Sequence, residues 1–440
     1  MSLDLHPKCK SQLETVLTET LRHVKVNNDI FLDVESLLPL FENKILPQTG
    51  SLYKHLQEYI GDNPLFVFAY EVLSKELGKN GTYNSESSGK FLSDLPNFSN
   101  IDALSARIVR ELESLPWSYR VSFELTTNVG VRLRKAPMPY SFSSSMRVIA
   151  PDQTYDSLYP LQSEIKKRDR RSYAEDLARI HLGFLAVPMQ WNHETAYIQI
   201  DVKGFIRSHV KTATMDYVLG TLKSFVGLSL ATRLMKINQN QIAQPFGTLP
   251  KNHLIVHRQI GDKWELSSLY DLPADISTTL NALEIDDLDG KIQPENEIDI
   301  IKQHRLPKIA TAFDHPDKAE SLLHAAQWLL DSYVGSNELL SFVQTTVAME
   351  IMLGEESKSD VLGIGELLRN RCAYLIGKSH SQRKEILKDF NEIYAIRSRI
   401  VHRGKNQLSF EERMLFQKLR WMCRRVISEE LELIEQDRKK

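Results

Sequence analysis

The sequence contains little cysteine and no long hydrophobic run. Its three cysteines, Cys9, Cys372 and Cys423, lie far apart and include no CxxC pair. This spacing indicates neither a disulfide framework nor a thiolate zinc site. No stretch approaches the roughly 20 apolar residues that a membrane-spanning helix needs, and the N-terminus lacks the apolar segment of a signal peptide. These absences predict a soluble, cytoplasmic protein without a membrane partner.

The charge balance excludes a strong overall attraction to nucleic acid. The 55 basic and 57 acidic residues give a formal net charge of -2, so any attraction to an anionic partner must be local. A Gly-rich phosphate loop, a nucleophile elbow and an HExxH pattern are all missing. We therefore predict neither a cofactor nor a metal site.

The hydrophobic periodicity changes along the chain and predicts an α+β protein. Residues 1–118 are mostly helical in pattern, whereas residues 119–310 mix strand-like alternation with a long helix at about 215–237. The segment 273–315 is polar and acidic, as at a domain boundary. Residues 316–440 then become wholly helical. The sequence thus predicts a mixed α/β N-terminal region followed by an all-α bundle.

Five helices are predicted in this C-terminal part, and glycines mark the breaks between them. Gly335, Gly354, Gly377 and Gly404 each follow an apolar-periodic segment, where a helix end favours glycine. Ser409 and Glu412 have the spacing of a capping box before the last helix. The predicted helices cover about 318–334, 337–353, 360–377, 381–402 and 410–436.

An arginine occupies the middle of an apolar face on the fourth of these helices. Arg397 projects among Ile386, Leu387, Phe390, Ile393, Tyr394, Ile400 and Val401 at about 100° per residue. Glu350 occupies a similar place on the second helix, among Leu339, Leu340, Val343, Thr346, Val347 and Ile351. A guanidinium group cannot lose its charge and is costly to bury unpaired. We therefore predict an ion pair between Glu350 and Arg397. Arg371 lies at the edge of its helix's apolar face, so it could either flank this pair or face water.

His402 lies five residues after Arg397, near the predicted helix end at Gly404. Five residues correspond to roughly 140° around a regular helix, so the two side chains share a face only if the last turn unwinds. A helix C-terminus favours protonated histidine, and an arginine can bind a phosphate through two hydrogen bonds. The same segment adds a hydroxyl and three cations: Ser398, Arg399, Arg403 and Lys405.

Less specific patterns occur elsewhere in the sequence. Basic clusters near Arg132 and Lys166 have the composition of nucleic-acid contacts, but exposed surface charge is the simpler interpretation. His253 and His257 belong to a strand-like segment, where side chains four positions apart lie too far from each other for an easy metal site. From spacing alone, Arg397 is also open to a purely structural interpretation as a fixed ion pair.

The segment YAIRSRIVHRGK, preceded by VAMEIMLGEE and LLRNRCAYLIG, resembles the HEPN superfamily and in particular its Apea-like branch. That branch is marked by an arginine, four to six further residues and a histidine at a helix end. Here the match is Arg397, four residues and His402. The resemblance extends from near Lys318 to Arg438. Many family members carry Asn or Asp directly after the arginine, where this chain has Ser398.

The resemblance implies an all-helical bundle that cleaves RNA without metal as a homodimer, often in toxin or antiphage systems. Arg397 and His402 would be catalytic, with Glu350, Ser398 and Arg371 in support. Three cations would contact the nucleic acid: Arg399, Arg403 and Lys405. The first 310 residues would then sense or regulate, and a phage-derived trigger is a candidate partner. Two alternatives stay open, namely a non-catalytic RNA-binding or dimerisation module and a structural ion pair that fixes helix register.

Overall fold

The computed structural model describes residues 3, 5–41, 50–80, 84, 86–161, 190–208, 210–238, 252–288, 290, 292–354 and 364–439. Helices and strands are mixed up to residue 285, and the chain ends in a helical region. This arrangement agrees with the predicted α+β class. One buried apolar cluster extends from Leu3 to Leu431 and joins the two parts. The predicted domain boundaries stay predictions.

The N-terminal part is mostly helical, as its periodicity predicts. Its helices are α1 (Pro7–Leu21), α2 (Ser51–Ile60), α3 (Pro64–Asn80) and α4 (Ile101–Glu113). Three short strands, β1 (Lys25–Asn27), β2 (Phe31–Leu32) and β3 (Lys90–Phe91), form a small antiparallel sheet. The Asn100 side chain accepts the Ala103 N–H at the start of α4, whose buried face includes Leu104, Ile108 and Leu112.

An antiparallel sheet of six strands forms the middle of the described chain. The strands of this part are β4 (Trp117–Glu124), β5 (Tyr140–Ser141), β6 (Met146–Ile149), β7 (Tyr197–Gly204), β8 (Met235–Ile237), β9 (His253–Ile260), β10 (Lys263–Asp271) and β11 (Leu283–Ile285). The large sheet has the order β10-β9-β4-β7-β6-β5, and β8 pairs separately with β11. The strand-like segment around residues 252–269 forms the hairpin of β9 and β10, with Gly261 at φ 59° between the strands.

The strand-like interpretation of residues 127–133 is wrong, and the long helix expected in this part ends earlier than predicted. Helix α5 (Thr127–Leu133) occupies a segment with strand-like composition, and α6 (Gln153–Leu158) follows the sheet's edge strands. The helix expected at 215–237 is α7 (Ala213–Ala231), which ends earlier because Arg233 adopts φ 60°. Residues 235–237 then pair with β11, and Arg233 binds the Asp286 carboxylate with its Nε 2.8 Å from Oδ2.

The polar segment 273–315 contains regular structure. It includes α8 (Ala274–Asn281), α9 (Pro294–Ile300), a π-helical turn (Ile301–Arg305) and α10 (Leu306–Asp314). Arg305 is buried in this turn, and its Nη1 donates to the Asp286 carbonyl at 2.7 Å. The segment is therefore packed against the rest of the chain despite its acidic composition.

All five helices predicted in the C-terminal part are confirmed. They are α11 (Pro316–Asp331), α12 (Glu338–Leu353), α13 (Ile364–Ile376), α14 (His380–Arg403) and α15 (Phe410–Lys439). Helix α11 packs closely on α7, where a Cβ at Gly227 would come within 1.9 Å of the Ala326 carbonyl oxygen. A glycine is therefore required where the middle part meets the helical region.

A helix that crosses a bilayer needs roughly 20 mostly apolar residues. Among the described residues, every helix is too short or too polar to cross a membrane.

Candidate active site

The predicted ion pair between Arg397 and Glu350 is confirmed. Arg397 Nη2 lies 3.6 Å from Glu350 Oε1, and the two side chains are 28% and 27% exposed. At this distance the contact is electrostatic and lacks hydrogen-bond geometry. A pair this long and this accessible to water stabilises a fold by less than about 1 kcal/mol. The arginine is therefore held in place only weakly by its carboxylate.

Tyr394 also binds Glu350, a contact that the sequence did not predict. Its hydroxyl donates to Glu350 Oε1 at 3.0 Å, one helical turn before Arg397. Burial and the negative charge of Glu350 raise the pKa of Tyr394 above its ordinary value, so the hydroxyl stays protonated and donates. A tyrosine on an apolar helix face usually belongs to the core. Its position three residues from Arg397 was the only signal in the sequence.

The guanidinium of Arg397 has an unused donor. Its Nε is buried and has no acceptor among the described residues. A buried N–H without an acceptor costs roughly 1–3 kcal/mol, and because this atom has no accessible surface, a ligand oxygen reaches it only if the side chain moves. The flat fork of an arginine presents Nε–H and Nη–H groups side by side, which suits a phosphate. The local geometry therefore favours binding an anion here.

Arg371 on α13 binds the C-terminal end of α12. Its Nη1 donates to the Leu353 carbonyl at 2.9 Å, at the C-terminal end of α12 and three residues after Glu350. A cationic side chain satisfies free carbonyl groups at a helix end and interacts favourably with its dipole. Arg371 therefore fixes the end of the helix that carries Glu350. Ser398 is exposed beside Arg397 on α14.

His402 is exposed in the last turn of α14. The helix remains regular through Arg403, and Gly404 ends it in the left-handed conformation at φ 62° and ψ 35°, as the sequence predicts. Because the last turn does not unwind, His402 and Arg397 of one chain point about 140° apart and are about 7.5 Å apart along the axis. The structure thus brings Arg397 to Glu350 and leaves His402 on a different face.

Two of the three predicted nucleic-acid ligands are bound to one carboxylate. Arg399 Nη2 and Lys405 Nζ each lie 2.9 Å from an oxygen of Glu412. Glu412 also accepts the Ser409 N–H at 2.7 Å, so the predicted capping box is present. Arg403 is exposed and has no ion pair in the described part of the chain. Contact of these three cations with nucleic acid stays a prediction.

The cluster around Glu412 should make stability depend on pH. Its hydrogen bonds to Ser409, Lys405 and Arg399 outweigh burial and lower the pKa of Glu412 to about 2. A lowered pKa stabilises the fold above the unfolded value near 4.5, and this stability is lost as the pH falls from there towards 2. We expect Glu412→Ala to lower the free energy of unfolding by about 2 kcal/mol at neutral pH.

Urea unfolding at pH 7, 4 and 3 measures this effect. The difference between wild type and Glu412→Ala should shrink as the pH falls, since protonation removes the same interactions from the wild type. Glu411→Ala removes the neighbouring exposed carboxylate, which accepts the Ser409 hydroxyl at 3.0 Å but does not bind Arg399 or Lys405, and is the matched control. A difference that stays constant with pH would contradict this assignment.

Part of the apolar surface around Arg397 is open to solvent. On α12 the core side is formed by Phe342, Thr345, Met349 and Leu353, and the face predicted to be buried is only partly covered. Leu340 is 53% exposed, and Val401, one turn after Arg397, is 47% exposed. Helix α12 is apolar on two sides, and packing against α11 and α15 selects the Phe342 side. We call Val343, Val347, Ile351, Arg397 and Val401 the open face.

The weaker candidates do not form comparable sites. Arg132 is exposed and pairs with Glu297 at 3.2 Å, whereas Lys166 lies outside the described residues. His253 binds Asp271 at 2.7 Å. His257 is fully buried beside the Pro160 carbonyl, and burial lowers its pKa to about 4. Across the described ranges, no three His, Cys, Asp or Glu side chains are grouped to hold a metal ion.

The chain was compared with protein-family models, with curated proteins and with solved structures. No family model, no curated protein and no solved structure matches it.

Proposed function

We propose that this chain is a metal-independent endoribonuclease of the HEPN type, a toxin or antiphage effector that acts as a homodimer in the cytoplasm. The observation that carries this proposal is the position of Arg397. Its guanidinium has a weak carboxylate partner and a donor without an acceptor, on an apolar surface that the single chain leaves open. Six other described arginines also have a buried Nε without an acceptor, so the open apolar surface around Arg397 is the feature that distinguishes it.

The proposed reaction needs one arginine and one histidine. A ribose 2′-hydroxyl attacks the adjacent phosphorus and loses its proton to an imidazole, and the P–O5′ bond breaks as the same imidazole gives this proton to the leaving oxygen. The products are a 2′,3′-cyclic phosphate and a 5′-hydroxyl end. Arg397 stabilises the charge that develops on the phosphoryl oxygens. His402 transfers the proton, because an imidazole can both accept and donate one.

A second chain would complete the site. Arg397 and His402 of one chain lie on different faces of α14, so a two-fold dimer in which the end of each α14 lies against the partner's open face would bring His402 of one protomer to Arg397 of the other. The exposed Val401 and the half-buried Val347 and Ile351 are suited to such an apolar contact. The dimer therefore accounts for both the open apolar surface and the separated catalytic pair.

The other predicted residues would support this site. Glu350 serves as the counter-ion of Arg397 before RNA binds, Arg371 holds the end of α12, and Ser398 offers a hydroxyl next to the phosphate. Arg403 is the cation best placed to guide an RNA backbone, because it is exposed. Arg399 and Lys405 would contact RNA only while also bound to Glu412.

The first 310 residues would regulate this activity. They carry the six-stranded sheet and share a continuous apolar core with the helical region. A phage-derived trigger or a regulatory partner bound there would therefore act on the C-terminal helices through packed contacts such as Gly227 against Ala326.

Size-exclusion chromatography combined with RNA digestion tests the proposal. We expect the full chain to elute as a dimer and to cleave RNA equally well with and without EDTA, because no proposed step uses a metal. The products should carry 2′,3′-cyclic phosphate ends. Cleavage that EDTA abolishes would contradict the proposed mechanism.

A non-catalytic RNA-binding or dimerisation module is the second candidate. The observation that favours it is the separation of His402 from Arg397 within the regular helix α14. In this case Arg397→Ala would weaken RNA binding, and no cleavage products would form under any condition. The digestion experiment therefore separates the two candidates directly.

A further inference from the structure

One carboxylate oxygen at the site has two partners. Glu350 Oε1 accepts the Tyr394 hydroxyl at 3.0 Å and lies 3.6 Å from Arg397 Nη2. The first distance is that of a hydrogen bond, whereas the second is too long for one. The phenol therefore binds the carboxylate more directly than the guanidinium does.

The contact between Arg397 and Glu350 is longer than the closest arrangement that these two groups can form. The two side chains are capable of a bidentate pair with two short N–H···O bonds, which is stronger than a single contact. In this site Arg397 keeps a buried Nε–H without an acceptor, although Glu350 is its charge partner. An additional restraint on Glu350 explains why the short pair does not form.

We propose that Tyr394 is a positioning residue that holds Glu350 back from Arg397 and so keeps the guanidinium free for an RNA phosphate. The inference rests on the proposed function, because it assigns a phosphodiester as the anion that Arg397 receives. Glu350 then balances the charge of Arg397 without competing strongly for its donors. Tyr394 acts through Glu350 and does not itself touch the reacting atoms.

The tyrosine is fixed well enough to act in this way. Its ring stacks on Phe390, with centroids 5.1 Å apart and planes at 17°. At the start of α13, a Cβ on Gly365 would lie 3.7 Å from Tyr394 Cδ1, so the ring also contacts that helix closely. These contacts involve the ring and would persist in phenylalanine. The hydroxyl can therefore be removed without changing the packing.

Loss of the hydroxyl should strengthen the ion pair and weaken RNA binding. In Tyr394→Phe, Glu350 Oε1 loses its donor and moves to the guanidinium, which then has to be released before a phosphate binds. The free energy of releasing the guanidinium from Glu350 weakens the binding of substrate and of the transition state equally. KM therefore rises while kcat is unchanged. A hydrogen bond to a charged group supports an effect of about tenfold.

Binding of a 2′-O-methyl oligoribonucleotide, which lacks the attacking hydroxyl, tests the proposal apart from cleavage. Fluorescence anisotropy with the full chain should give about tenfold weaker binding for Tyr394→Phe than for wild type. Glu350→Gln should bind more tightly than wild type. In the Glu350→Gln background, Tyr394→Phe should have no effect, because the competing charge is gone. Tyr374→Phe, at an exposed tyrosine on α13, is the matched control.

The outcomes separate this inference from the proposed function. If the affinities of wild type and variants follow the expected order but wild type never cleaves RNA, the proposed ribonuclease is refuted and the role of Tyr394 is supported. If wild type and Tyr394→Phe bind the oligonucleotide with equal affinity, or if neither binds it, the proposed role of Tyr394 is overturned. A loss of the same size in the Glu350→Gln background also overturns it, because Tyr394 would then act on packing alone. Where RNA is cleaved, a fall in kcat without a rise in KM contradicts it as well.

Discussion

Replacing His402 with alanine is expected to slow RNA cleavage by about 10²–10⁴-fold, the range of a lost general acid or base. The side chain is exposed at the end of α14, so its removal should leave the melting temperature unchanged. Initial rates on a labelled RNA, together with thermal melts of both proteins, measure the two effects. A large kinetic effect on a stable protein would assign the histidine to chemistry.

His380 provides a matched control on the same helix. It is the first residue of α14, it is exposed, and it lies 22 positions away from His402 along the helix. His380→Ala should cleave RNA at the wild-type rate, because no proposed step involves it. Equal rates for wild type and His402→Ala would remove the catalytic assignment of His402 and leave the binding module as the better interpretation.

The pH dependence of this reaction should follow the same histidine. The imidazole must be neutral to accept the proton of the 2′-hydroxyl, so cleavage should slow as the pH falls into the range where imidazoles become protonated.

Local patterns predicted the C-terminal helices well because their signals lie within one turn of each boundary. Gly404 ends α14 in a left-handed conformation that glycine adopts at little cost, and Ser409 and Glu412 cap α15 through neighbouring backbone groups. The Glu350 and Arg397 pair was also predictable, since each charge interrupts an apolar row and needs a partner. Each of these features depends on only a few residues, which is why it could be predicted from the sequence.

Long-range packing accounts for most of the wrong predictions. Helix α12 has apolar side chains on two sides, and only the positions of α11 and α15 decide that Phe342 faces the core while Leu340 faces solvent. The strand β8 likewise requires β11, which lies almost 50 residues later in the sequence. Periodicity within one segment contains no information about such partners.

The contacts of individual side chains were also not predictable from the sequence. Tyr394 belongs to an apolar row, where a tyrosine ordinarily contributes its ring to the core. Only the structure places its hydroxyl on Glu350 and leaves Arg397 Nε without an acceptor. The resemblance in the C-terminal part pointed to Arg397 and His402, and their spacing left open whether the last turn unwinds, whereas the structure shows a regular helix that keeps them on separate faces.

Replacing Arg397 with alanine is expected to slow RNA cleavage by about 10²–10³-fold, as when one donor to a developing oxyanion is lost. Arg397→Lys should recover only part of the activity, because an ammonium group lacks the planar fork. The fold should tolerate both changes, since the long, partly exposed contact with Glu350 contributes less than about 1 kcal/mol. Lys388→Ala removes an exposed charge from the same helix and should leave the rate unchanged.

The melting temperature of Glu350→Gln separates this expectation from the structural alternative. If Glu350 and Arg397 mainly fixed the register of α12 and α14, removing the charge would cause a large loss of stability. The distance of 3.6 Å between Arg397 Nη2 and Glu350 Oε1, together with the partial exposure of both side chains, favours a small loss of stability. A large loss combined with wild-type cleavage by His402→Ala would establish the structural interpretation.

Mixing two inactive variants shows whether the site is shared between chains. A dimer of one Arg397→Ala chain and one His402→Ala chain contains one intact arginine facing one intact histidine if each site uses both protomers. After subunit exchange at equal concentrations, about half of the dimers are mixed, and each keeps one site of two, so about a quarter of wild-type activity should return. If both residues act within one chain, every mixed dimer is inactive, and the two-fold arrangement at the open face is wrong.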